Sequence, residues 1–502
     1  MITDQRRSQM AQLKKKLLMN YLRSLLCVLL LACQPALVPA QEVIYSEYDK
    51  FDYRTDGYSV VGMTSGYLYT YLRNGREAKL ESYDDSMNKL ATIMLDFFPE
   101  KISQSRFIAY PDKIIVLYQA LESNKVVQYA ALLDGTGRLK GKPVELGHIK
   151  TGIFGATRTY FSYAISDNKK TILIYSANDK GKGLEFEGKW LDDNLTILKR
   201  SKATFETDNA PEHGEVNVSN DGTVYIAAYT PTGGLNYADQ YWILSLTQGA
   251  TKFDAKELNL GERFAASGYM KIDNLNNRVY FGGFYSDKKN GNYDGIICAA
   301  YDIAAGNFQS QKFIPFDAEL IAAAGSRRRN HAFDNYQVMQ LIVKNDGGFV
   351  LVSEVQFITT RSNYTPGFGY YSFYSPAMTS IVHEYHYNDI MALSYNKDGV
   401  RDWKAFIQKD QYSQEDEGVF SSYSLLNTGG TLAFLFNDFN PSHSRIQLAT
   451  LAPDGKSDIH SFNAEGNDYP DWLPRAGKQV AGRVLVVPCL HKKQICFAKV
   501  TF

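Results

Sequence analysis

Short runs of apolar residues separated by polar turns recur along most of the chain. Each repeat begins with an apolar run, a turn that contains Asn, Asp, Ser, Pro or Gly, and a second apolar run. Turn residues of these kinds allow tight reversals between strands, so the pattern predicts eight β-hairpins, about 47 to 56 residues apart except around the sixth. The predicted turns lie at Ser65-Gly66, Pro111-Asp112, Asp167-Asn168, Asn220-Asp221-Gly222, Asn274 to Asn277, Asn345-Asp346-Gly347, Asn427-Thr428-Gly429 and Ala481-Gly482.

The strand predicted after each turn is rich in β-branched and aromatic residues. Runs such as Ile114-Ile-Val-Leu-Tyr and Val224-Tyr-Ile-Ala-Ala-Tyr are typical of strands that are buried on both faces. Seven of the eight repeats continue into a second hairpin, with turns such as Asp134-Gly135 and Asp398-Gly399. Its last strand alternates polar and apolar residues, as after Asp402, which predicts an outer strand that is partly exposed.

Four antiparallel strands in a repeat of about 50 residues are typical of a β-propeller blade. The eighth repeat ends after three strands, at Phe502, whereas Val43 to Tyr48 is a spare strand near the start. A blade shared between the termini would close the ring and remove an exposed sheet edge. The sequence therefore predicts an all-β protein, a β-propeller of four-stranded antiparallel blades closed by N- and C-terminal strands. Eight blades are expected, and seven is the alternative if the first repeat is an N-terminal extension.

Helical patterns are scarce beyond the N-terminal segment. The run from Ala318 to Ala324 predicts a helix of about two turns between the fifth and sixth repeats. No Pro- or Ser-rich linker divides the rest of the chain. The sequence therefore predicts a single domain over residues 41–502, with insertions near 316–335 and 358–387.

Residues 1–40 are typical of a signal peptide. Four Lys or Arg residues between positions 14 and 23 precede an apolar run over 25–32, and Val38-Pro39-Ala40 resembles a signal peptidase site. The apolar run is shorter than the roughly 20 residues that span a bilayer, so no transmembrane span is expected in the mature chain. A competing interpretation is a lipoprotein signal over Leu30 to Cys33, with a lipid anchor on Cys33. Both interpretations predict export, to the periplasm, the outer membrane or the medium.

Composition supports a globular exported protein and argues against a nucleic-acid partner. Hydrophobic residues make up 44% of the chain and charged residues 22%, and aromatic residues reach 13%, which favours strands. The formal net charge is zero. Residues 1–40 carry six of the 54 basic and one of the 54 acidic residues, so the mature chain has a charge near −5. Nucleic-acid binding proteins usually carry a basic patch, and this balance provides none.

The sixth repeat resembles a group of secreted bacterial proteins. Its strand from Tyr387 to the turn at Gly399, followed by Trp403 and the segment from Ile407 to Lys409, resembles uncharacterised secreted β-propeller-like proteins of Bacteroidetes-type bacteria. The resemblance covers most of the mature chain, but its motifs are turn signals. It implies export and a propeller, and it assigns no catalytic residue.

Three cysteines remain if cleavage follows Ala40. A two-residue turn at Lys492-Lys493 places Cys489 opposite Cys496 on paired strands, near disulfide distance. Export permits oxidation, so a Cys489–Cys496 disulfide is one interpretation, and two packed thiols are the other. No cysteine pair has the spacing of a zinc site, and neither a metal nor another cofactor is predicted.

The two insertions around the sixth repeat are the candidates for ligand binding. Loops at a channel mouth carry the ligand sites of propellers, and three consecutive arginines can hold carboxylates, sulfates or phosphates. The first insertion contributes Arg327, Arg328, Arg329 and His331. The second runs from Phe357 to Tyr387 and is rich in aromatic residues, which can stack on sugars or anchor a protein. Its candidate ligand-binding residues are Tyr364, Tyr370, Tyr371, Tyr374 and Tyr385. The alternative to ligand binding is a purely structural role. The first insertion would then be a solvated loop, and the second would be a loop that packs on itself.

No catalytic motif stands out. The segment His383-Glu384-Tyr385-His386 is not a zinc motif, because residues three apart on a strand face opposite sides. The sequence therefore favours an exported binding or scaffold protein of the bacterial envelope, with a glycan, a peptide or an envelope protein as partner. The alternative is a carbohydrate-active hydrolase or lyase that uses carboxylates, for example within 415–417, at the channel mouth.

Overall fold

The computed structural model describes residues 42–150, 160–232, 237–289, 291–324, 333, 335–364, 379–440, 443–462 and 470–502. Residues 44–499 form one compact unit, whereas 43 and 500–502 belong to a second, small one. The cavities and side-chain contacts described below all lie within the large unit.

The strands follow one another in groups, which we number as unit one to unit eight. The chain begins with β1 (Glu42–Tyr45) and β2 (Asp49–Lys50). Unit one contains β3 (Gly57–Thr64), β4 (Tyr67–Asn74), β5 (Glu77–Tyr83) and β6 (Lys89–Met94). Unit two contains β7 (Ile102–Ala109), β8 (Lys113–Glu122), β9 (Lys125–Asp134) and β10 (Val144–Lys150). Unit three contains β11 (Ser162–Ile165), β12 (Ile172–Lys180), β13 (Gly183–Leu191) and β14 (Ile197–Glu206). Unit four contains β15 (Glu212–Val218), β16 (Val224–Pro231), β17 (Tyr237–Leu246) and β18 (Asp254–Glu257).

The second half of the chain follows the same plan with two departures, a short helix and two lengthened strands. Unit five contains β19 (Phe264–Asp273), β20 (Arg278–Ser286), β21 (Gly295–Asp302) and β22 (Asn307–Pro315), and helix α1 (Ala318–Ala323) follows it. Unit six contains β23 (Tyr336–Val343), β24 (Phe349–Tyr364), β25 (Thr379–Tyr395), β26 (Arg401–Ile407) and β27 (Gln411–Gln414). Unit seven contains β28 (Tyr423–Asn427), β29 (Leu432–Asn440), β30 (His443–Leu451) and β31 (Ser457–Phe462). Unit eight contains β32 (Asp471–Trp472), a 3-10 turn (Pro474–Ala476), β33 (Lys478–Ala481), β34 (Val484–His491) and β35 (Gln494–Thr501).

The predicted all-β class is confirmed. Most of the described residues lie in strands and almost none lie in helices. Units one, two, three and seven are separate four-stranded antiparallel sheets, and units four and five join through β17 and β19 into one larger sheet. No helix in the described part of the chain is long and apolar enough to cross a bilayer.

Hydrophobic pattern and turn chemistry account for the individual strands. The second strand of a unit lies between two layers, and in unit two Ile114, Ile115 and Val116 of β8 are fully buried. Glycines adopt the left-handed backbone that the predicted turns require, as Gly222 does with φ of 87°. The predicted helix is also confirmed, because α1 begins after Asp317, whose carboxylate accepts a hydrogen bond from the Leu320 N–H at 2.7 Å.

Consecutive sheets pack face to face through apolar side chains. Val61 and Leu80 of unit one share a buried cluster with Ile114 and Val116 of unit two, and comparable clusters join the later units. The sheet of unit eight packs in the same way on unit one, where Phe497 lies in one cluster with Leu68.

The segment that precedes unit one pairs with the last strand of the chain. In β2, Asp49 lies opposite Ile495 of β35, and the Phe51 N–H donates to the Lys493 carbonyl at 2.9 Å. The Ser46 N–H donates to the Phe497 carbonyl at 2.9 Å, and the Phe497 N–H donates back to the Ser46 hydroxyl at 3.0 Å. The N-terminal segment therefore supplies the outer strand that the sequence of unit eight lacks.

Candidate functional site

A two-stranded arm extends from the sheet of unit six. The strands β24 and β25 pair from Phe349, opposite Tyr395, to Tyr364, opposite Thr379. The register shifts once, between Glu354 and Gln356. The neighbouring strand β23 accompanies β24 only as far as Tyr336, opposite Val355. Much of the segment that the sequence predicted as a loop, 358–387, is therefore strand. The prediction of a loop there was wrong for these parts, because aromatic and β-branched residues in alternation also suit a hairpin.

The surface of the arm presents apolar and aromatic groups. Ile358 is 63% exposed and Tyr412 of β27 is 44% exposed. The imidazole of His386 stacks on the ring of Phe357 with 4.4 Å between their centroids and 9° between their planes. These side chains are held by neighbours on the arm itself, and they leave an aromatic face open to solvent.

Glu384 collects the polar contacts of the arm. Its carboxylate accepts hydrogen bonds from the Tyr412 hydroxyl at 2.9 Å and the Thr359 hydroxyl at 3.0 Å. Arg361 forms an ion pair with it, with 3.4 Å between the Arg361 Nε and a carboxylate oxygen. These hydrogen bonds lower the pKa of Glu384, and the bond from Tyr412 has the largest effect. The acid is therefore ionised at neutral pH and joins β24, β25 and β27.

The two histidines of the arm have separate environments. The His383 ring lies 3.3 Å from a Glu415 carboxylate oxygen, whereas His386 contacts Phe357 and Tyr412. In the described residues, no group of three His, Cys, Asp or Glu side chains has the arrangement of a metal site. The carboxylates of the 415–417 segment support the base of the arm, because Asp416 accepts from the Ser413 hydroxyl at 2.6 Å.

Both insertions of unit six emerge at the same end of its sheet. The strand β24 starts at the turn that contains Gly347 and runs away from it, so the arm lies at the end opposite that turn. The preceding linker reaches the same end, where the Gln356 N–H donates to the Asn335 carbonyl at 2.9 Å. Phe333, on this linker, packs against Phe316 with 4.1 Å between ring centroids. The Arg-rich linker thus returns to the sheet beside the base of the arm.

Most ligand-binding candidates predicted from the sequence fall outside the described residues. Tyr364 closes β24 through its backbone, opposite Thr379. Tyr385 lies in the arm opposite Ile358, half-buried, and burial together with Glu417 and Glu415 raises its pKa. The structure describes neither the backbone nor the contacts of the remaining candidates, which are Arg327, Arg328, Arg329, His331, Tyr370, Tyr371 and Tyr374.

A buried ion pair fixes the base of the arm. The Lys409 Nζ lies 2.6 Å from a carboxylate oxygen of Glu354, and 1% and 0% of their side chains are exposed. The Ser422 hydroxyl donates to the same carboxylate at 2.7 Å, and Lys409 donates to the Tyr387 carbonyl at 2.8 Å. Burial lowers the pKa of Lys409, and Glu354 opposes that shift. This network joins β24, β25 and the start of unit seven where the arm leaves the sheet.

Two adjoining cavities lie among the first strands of the units. The first has a volume of about 600 Å³ and is lined by β3, β7, β11, β15, β19 and β33. The second has a volume of about 720 Å³ and is lined by β19, β23 and the turns after several first strands. Asp167, Lys271 and Ile272 line both cavities, so the two lie side by side.

The first cavity contains three cations and two carboxylates. Asp167 forms an ion pair with Lys271 at 3.7 Å and accepts from the Asn274 amide at 2.6 Å. Arg106 and Glu215 are exposed to the cavity and form no ion pair with any described residue. Such side chains remain available to a polar ligand.

Lys478 enters the first cavity from β33. Its ammonium group donates to the Val61 carbonyl at 2.9 Å and is surrounded by protein, although the residue is open to water in the cavity. This burial lowers the pKa of Lys478, and the charge of Lys169 lowers it further. Sequence reasoning missed the cavity residues. The available signal was that first strands contain polar residues, as in Gln104-Ser105-Arg106, whereas second strands such as β8 are largely apolar.

The predicted cysteine pair is placed on neighbouring strands. Cys489 in β34 and Cys496 in β35 are fully buried free thiols. Burial, with a contribution from the neighbouring Cys496, raises the pKa of Cys489 well above its usual range. The turn at Lys492 has the position predicted for it, and a disulfide between the two cysteines stays a prediction.

Comparison with known proteins assigns the chain to no family. No protein-family model matches the sequence, and no curated protein matches it. Among solved structures, prolyl oligopeptidase B from Galerina marginata is similar at 11% identity, with a TM-score of 0.41 over 87% of this chain and 55% of that one. The chain therefore spans about 55% of the length of that oligopeptidase.

Two smaller proteins are similar over a larger share of their own length. A polysaccharide lyase is 11% identical, with a TM-score of 0.38 over 79% of this chain and 89% of that one. An uncharacterised protein from Listeria monocytogenes is 11% identical, with a TM-score of 0.35 over 75% of this chain and 85% of that one. At this identity and score the similarities assign neither a reaction nor a ligand, and the resemblance to secreted Bacteroidetes-type proteins stays a prediction.

Proposed function

We propose that this protein is an exported β-propeller of the bacterial envelope that binds a glycan, a peptide or another envelope protein through unit six. Export is inferred from the signal-peptide pattern over residues 1–40, with the lipid anchor on Cys33 as the alternative. The position of the two insertions of unit six carries the proposal for binding.

The units are proposed to form one closed ring of eight blades. Face-to-face packing of consecutive sheets supports this arrangement, and so does the packing of unit eight on unit one. The first strands line two adjoining cavities, as the inner strands of a propeller line its channel. Pairing of Asp49 with Ile495 would complete the last blade with a strand from the other terminus.

The two insertions are proposed to contribute to one binding surface. The linker that contains Arg327, Arg328 and Arg329 ends beside the base of the arm, because Asn335 is hydrogen bonded to Gln356. Planar guanidinium groups bind carboxylates, sulfates and phosphates, and exposed aromatic rings bind sugar faces and peptide side chains. An acidic glycan or an acidic protein surface offers both kinds of group to such a site.

A glycan array and a pull-down from envelope extract, both with the chain from Gln41 to Phe502, test this proposal. A variant in which residues 365–378 are replaced by a short Gly-Ser turn keeps the paired strands of the arm and removes the aromatic loop. A control variant, Leu275→Ser, alters a residue that is 85% exposed in the turn after β19. We expect the control to retain the captured ligand and the shortened variant to lose it. Equal capture by all three proteins would reject the role of the loop.

A carbohydrate-active hydrolase or lyase is the second candidate, and the first cavity favours it. This cavity contains Glu215, Asp167 and the amine of Lys478, whose pKa is lowered, so it has groups for acid–base chemistry. Turnover of a panel of polysaccharides, followed as new reducing ends or unsaturated products, tests this function. Turnover that is abolished in Glu215→Gln and in Lys478→Met, and retained in the loop variant, would establish an enzyme. Absence of turnover across the panel would leave the binding function as the better account.

A further inference from the structure

A pocket between units five and six has the features of an anion site. It has a volume of about 200 Å³ and is lined by β20, β21, β22 and the two hairpin turns of unit six. The turns are those that contain Gly347, between β23 and β24, and Gly399, between β25 and β26. The pocket lies away from the arm, because these turns are at the opposite end of the sheet.

Two buried polar atoms at this pocket lack a protein partner. In the part of the chain that is described, neither the Arg278 Nε nor the Tyr280 hydroxyl forms a hydrogen bond with another group. Tyr280 is only 5% exposed. Buried donors of this kind are rare, because losing hydration without gaining a partner costs more than an ordinary hydrogen bond contributes. A ligand with acceptor oxygens would satisfy both donors.

The Arg278 guanidinium group and the Tyr280 hydroxyl both lie close to Gly347. A Cβ atom on Gly347 would lie 3.9 Å from the Arg278 Nη1 and 3.9 Å from the Tyr280 hydroxyl. The same position is 3.7 Å from the Cβ of Lys397, in the facing turn. Gly347 has a φ of 83°, and this left-handed backbone conformation favours glycine over a residue with a side chain.

The charges around the pocket are positive. Its lining contains Arg278, Lys312 and Lys397, and no carboxylate among the described residues lines it. Lys312 reaches the carbonyl of Asp398 and thereby positions its ammonium group beside the second turn. The acid opposite Arg278 on the next strand, Asp302, instead accepts hydrogen bonds from Ala305 and Gln309.

The other two acids in the turns also have partners or face solvent. Asp346 accepts from the Gly348 N–H at 2.9 Å and lies 3.8 Å from the Lys344 Nζ. Asp398 is exposed and does not line the pocket. Neither acid therefore neutralises the three cations of the pocket.

We propose that this pocket binds a small oxyanion, namely phosphate, sulfate or the carboxylate of an organic acid. Arg278 and Tyr280 donate hydrogen bonds to its oxygens, and Lys397 and Lys312 supply the balancing charge. Oxyanions accept several hydrogen bonds at once and pair strongly with a guanidinium group. The bound anion joins β20 of unit five to both turns of unit six, so it also stabilises the contact between these units. The site is independent of the ligand proposed for the arm.

Calorimetric titration of the chain from Gln41 to Phe502 with sodium phosphate, sulfate and acetate, at constant ionic strength in chloride, tests the proposal. We expect saturable binding of at least one anion. Its affinity should fall at least tenfold in Arg278→Met and at least threefold in Tyr280→Phe. Preference for phosphate or sulfate over acetate would indicate a tetrahedral anion, and the reverse preference would indicate a carboxylate. Matched controls are Arg263→Met, an exposed arginine paired with Asp287, and Tyr301→Phe, a buried tyrosine outside the pocket.

Each result decides between an anion site and a pocket filled by water alone. Absence of saturable binding for all three anions would overturn the proposal. Equal affinity of the parent chain and Tyr280→Phe would also overturn it. Because Tyr280→Phe keeps the buried ring, this variant still tests the site if Arg278→Met fails to fold. Equal weakening by the two control variants would show a general charge or packing effect and would overturn the site as well.

Discussion

Lys409 and Glu354 form a buried ion pair at the point where the arm leaves unit six, and this pair should contribute to the stability of the fold. Their charged atoms are 2.6 Å apart, and almost none of either side chain is exposed. Both charges have lost their hydration, so each is stabilised mainly by the other and by its hydrogen bonds. Neither partner was among the candidate functional residues predicted from the sequence. Lysine and glutamate are common on surfaces, and nothing in their local pattern indicates that they meet in the core.

Lys409→Met should lower the free energy of unfolding by about 3 to 5 kcal/mol, because it leaves the Glu354 carboxylate buried without its counterion. Urea denaturation at neutral pH measures this change. The double variant Lys409→Met with Glu354→Gln should recover part of the loss, since no buried charge then remains. Lys456→Met is the control, because Lys456 and Asp454 form an exposed pair and its loss should change stability little. Equal effects of the two lysine substitutions would contradict the described burial.

Lys478 should titrate below the exposed lysines of the protein. Burial disfavours its charged form, and the positive charge of Lys169 disfavours it further. Nuclear magnetic resonance of the reductively ¹³C-methylated protein measures this pKa, and Lys478→Arg identifies the signal. Lys169→Met should raise the pKa of Lys478 because it removes the neighbouring charge. A Lys478 signal that titrates together with the exposed lysines would show that the cavity is fully hydrated.

The elements were predictable from the sequence because their signals are local. The turns at Asn220-Asp221-Gly222 and Lys397-Asp398-Gly399 connect the strands expected on either side of them, and α1 lies within the run from Ala318 to Ala324 that predicted it. The arm was not predictable in the same way. Its register, with Thr359 opposite Glu384, depends on a pairing across a long segment, and alternating Thr, Tyr and His residues also suit a loop.

Tryptophans that connect one unit to the next provide a test of the packing between elements. The Trp190 Nε1–H of unit three donates to the Gly222 carbonyl of unit four at 2.7 Å, and this side chain is fully buried. Trp403 of unit six donates in the same way to the Pro453 carbonyl of unit seven at 2.8 Å, but it is only half-buried.

Trp190→Phe should destabilise the protein by about 2 to 3 kcal/mol, since it leaves a void and an unpaired buried carbonyl. Trp403→Phe should cost less than about 1 kcal/mol, because water can reach the Pro453 carbonyl. Chemical denaturation of both variants measures the difference. A larger effect of Trp403→Phe than of Trp190→Phe would contradict the burial assigned to these two contacts.

The cavities belong to the assembled units and have no counterpart in any single stretch of sequence. Arg106, Glu215 and Lys478 come from β7, β15 and β33, which are far apart along the chain. These side chains come together only when several sheets pack against one another. The sequence shows each polar residue within its own strand and does not show which residues of other strands lie beside it. For the same reason the sequence located the insertions of unit six but did not show that both emerge at one end of its sheet.

Closure of the ring by the N-terminal segment is the claim on which the proposed architecture and function depend. Hydrogen-exchange mass spectrometry of the chain from Gln41 to Phe502 tests it directly. The Ser46 amide donates to the Phe497 carbonyl of β35, and the Phe51 amide donates to the Lys493 carbonyl just before this strand. Peptides over 44–51 should therefore exchange as slowly as peptides over 494–499. Rapid exchange over 44–51, together with slow exchange in the rest of the sheets, would show that the termini do not pair and that the ring is not closed in this way.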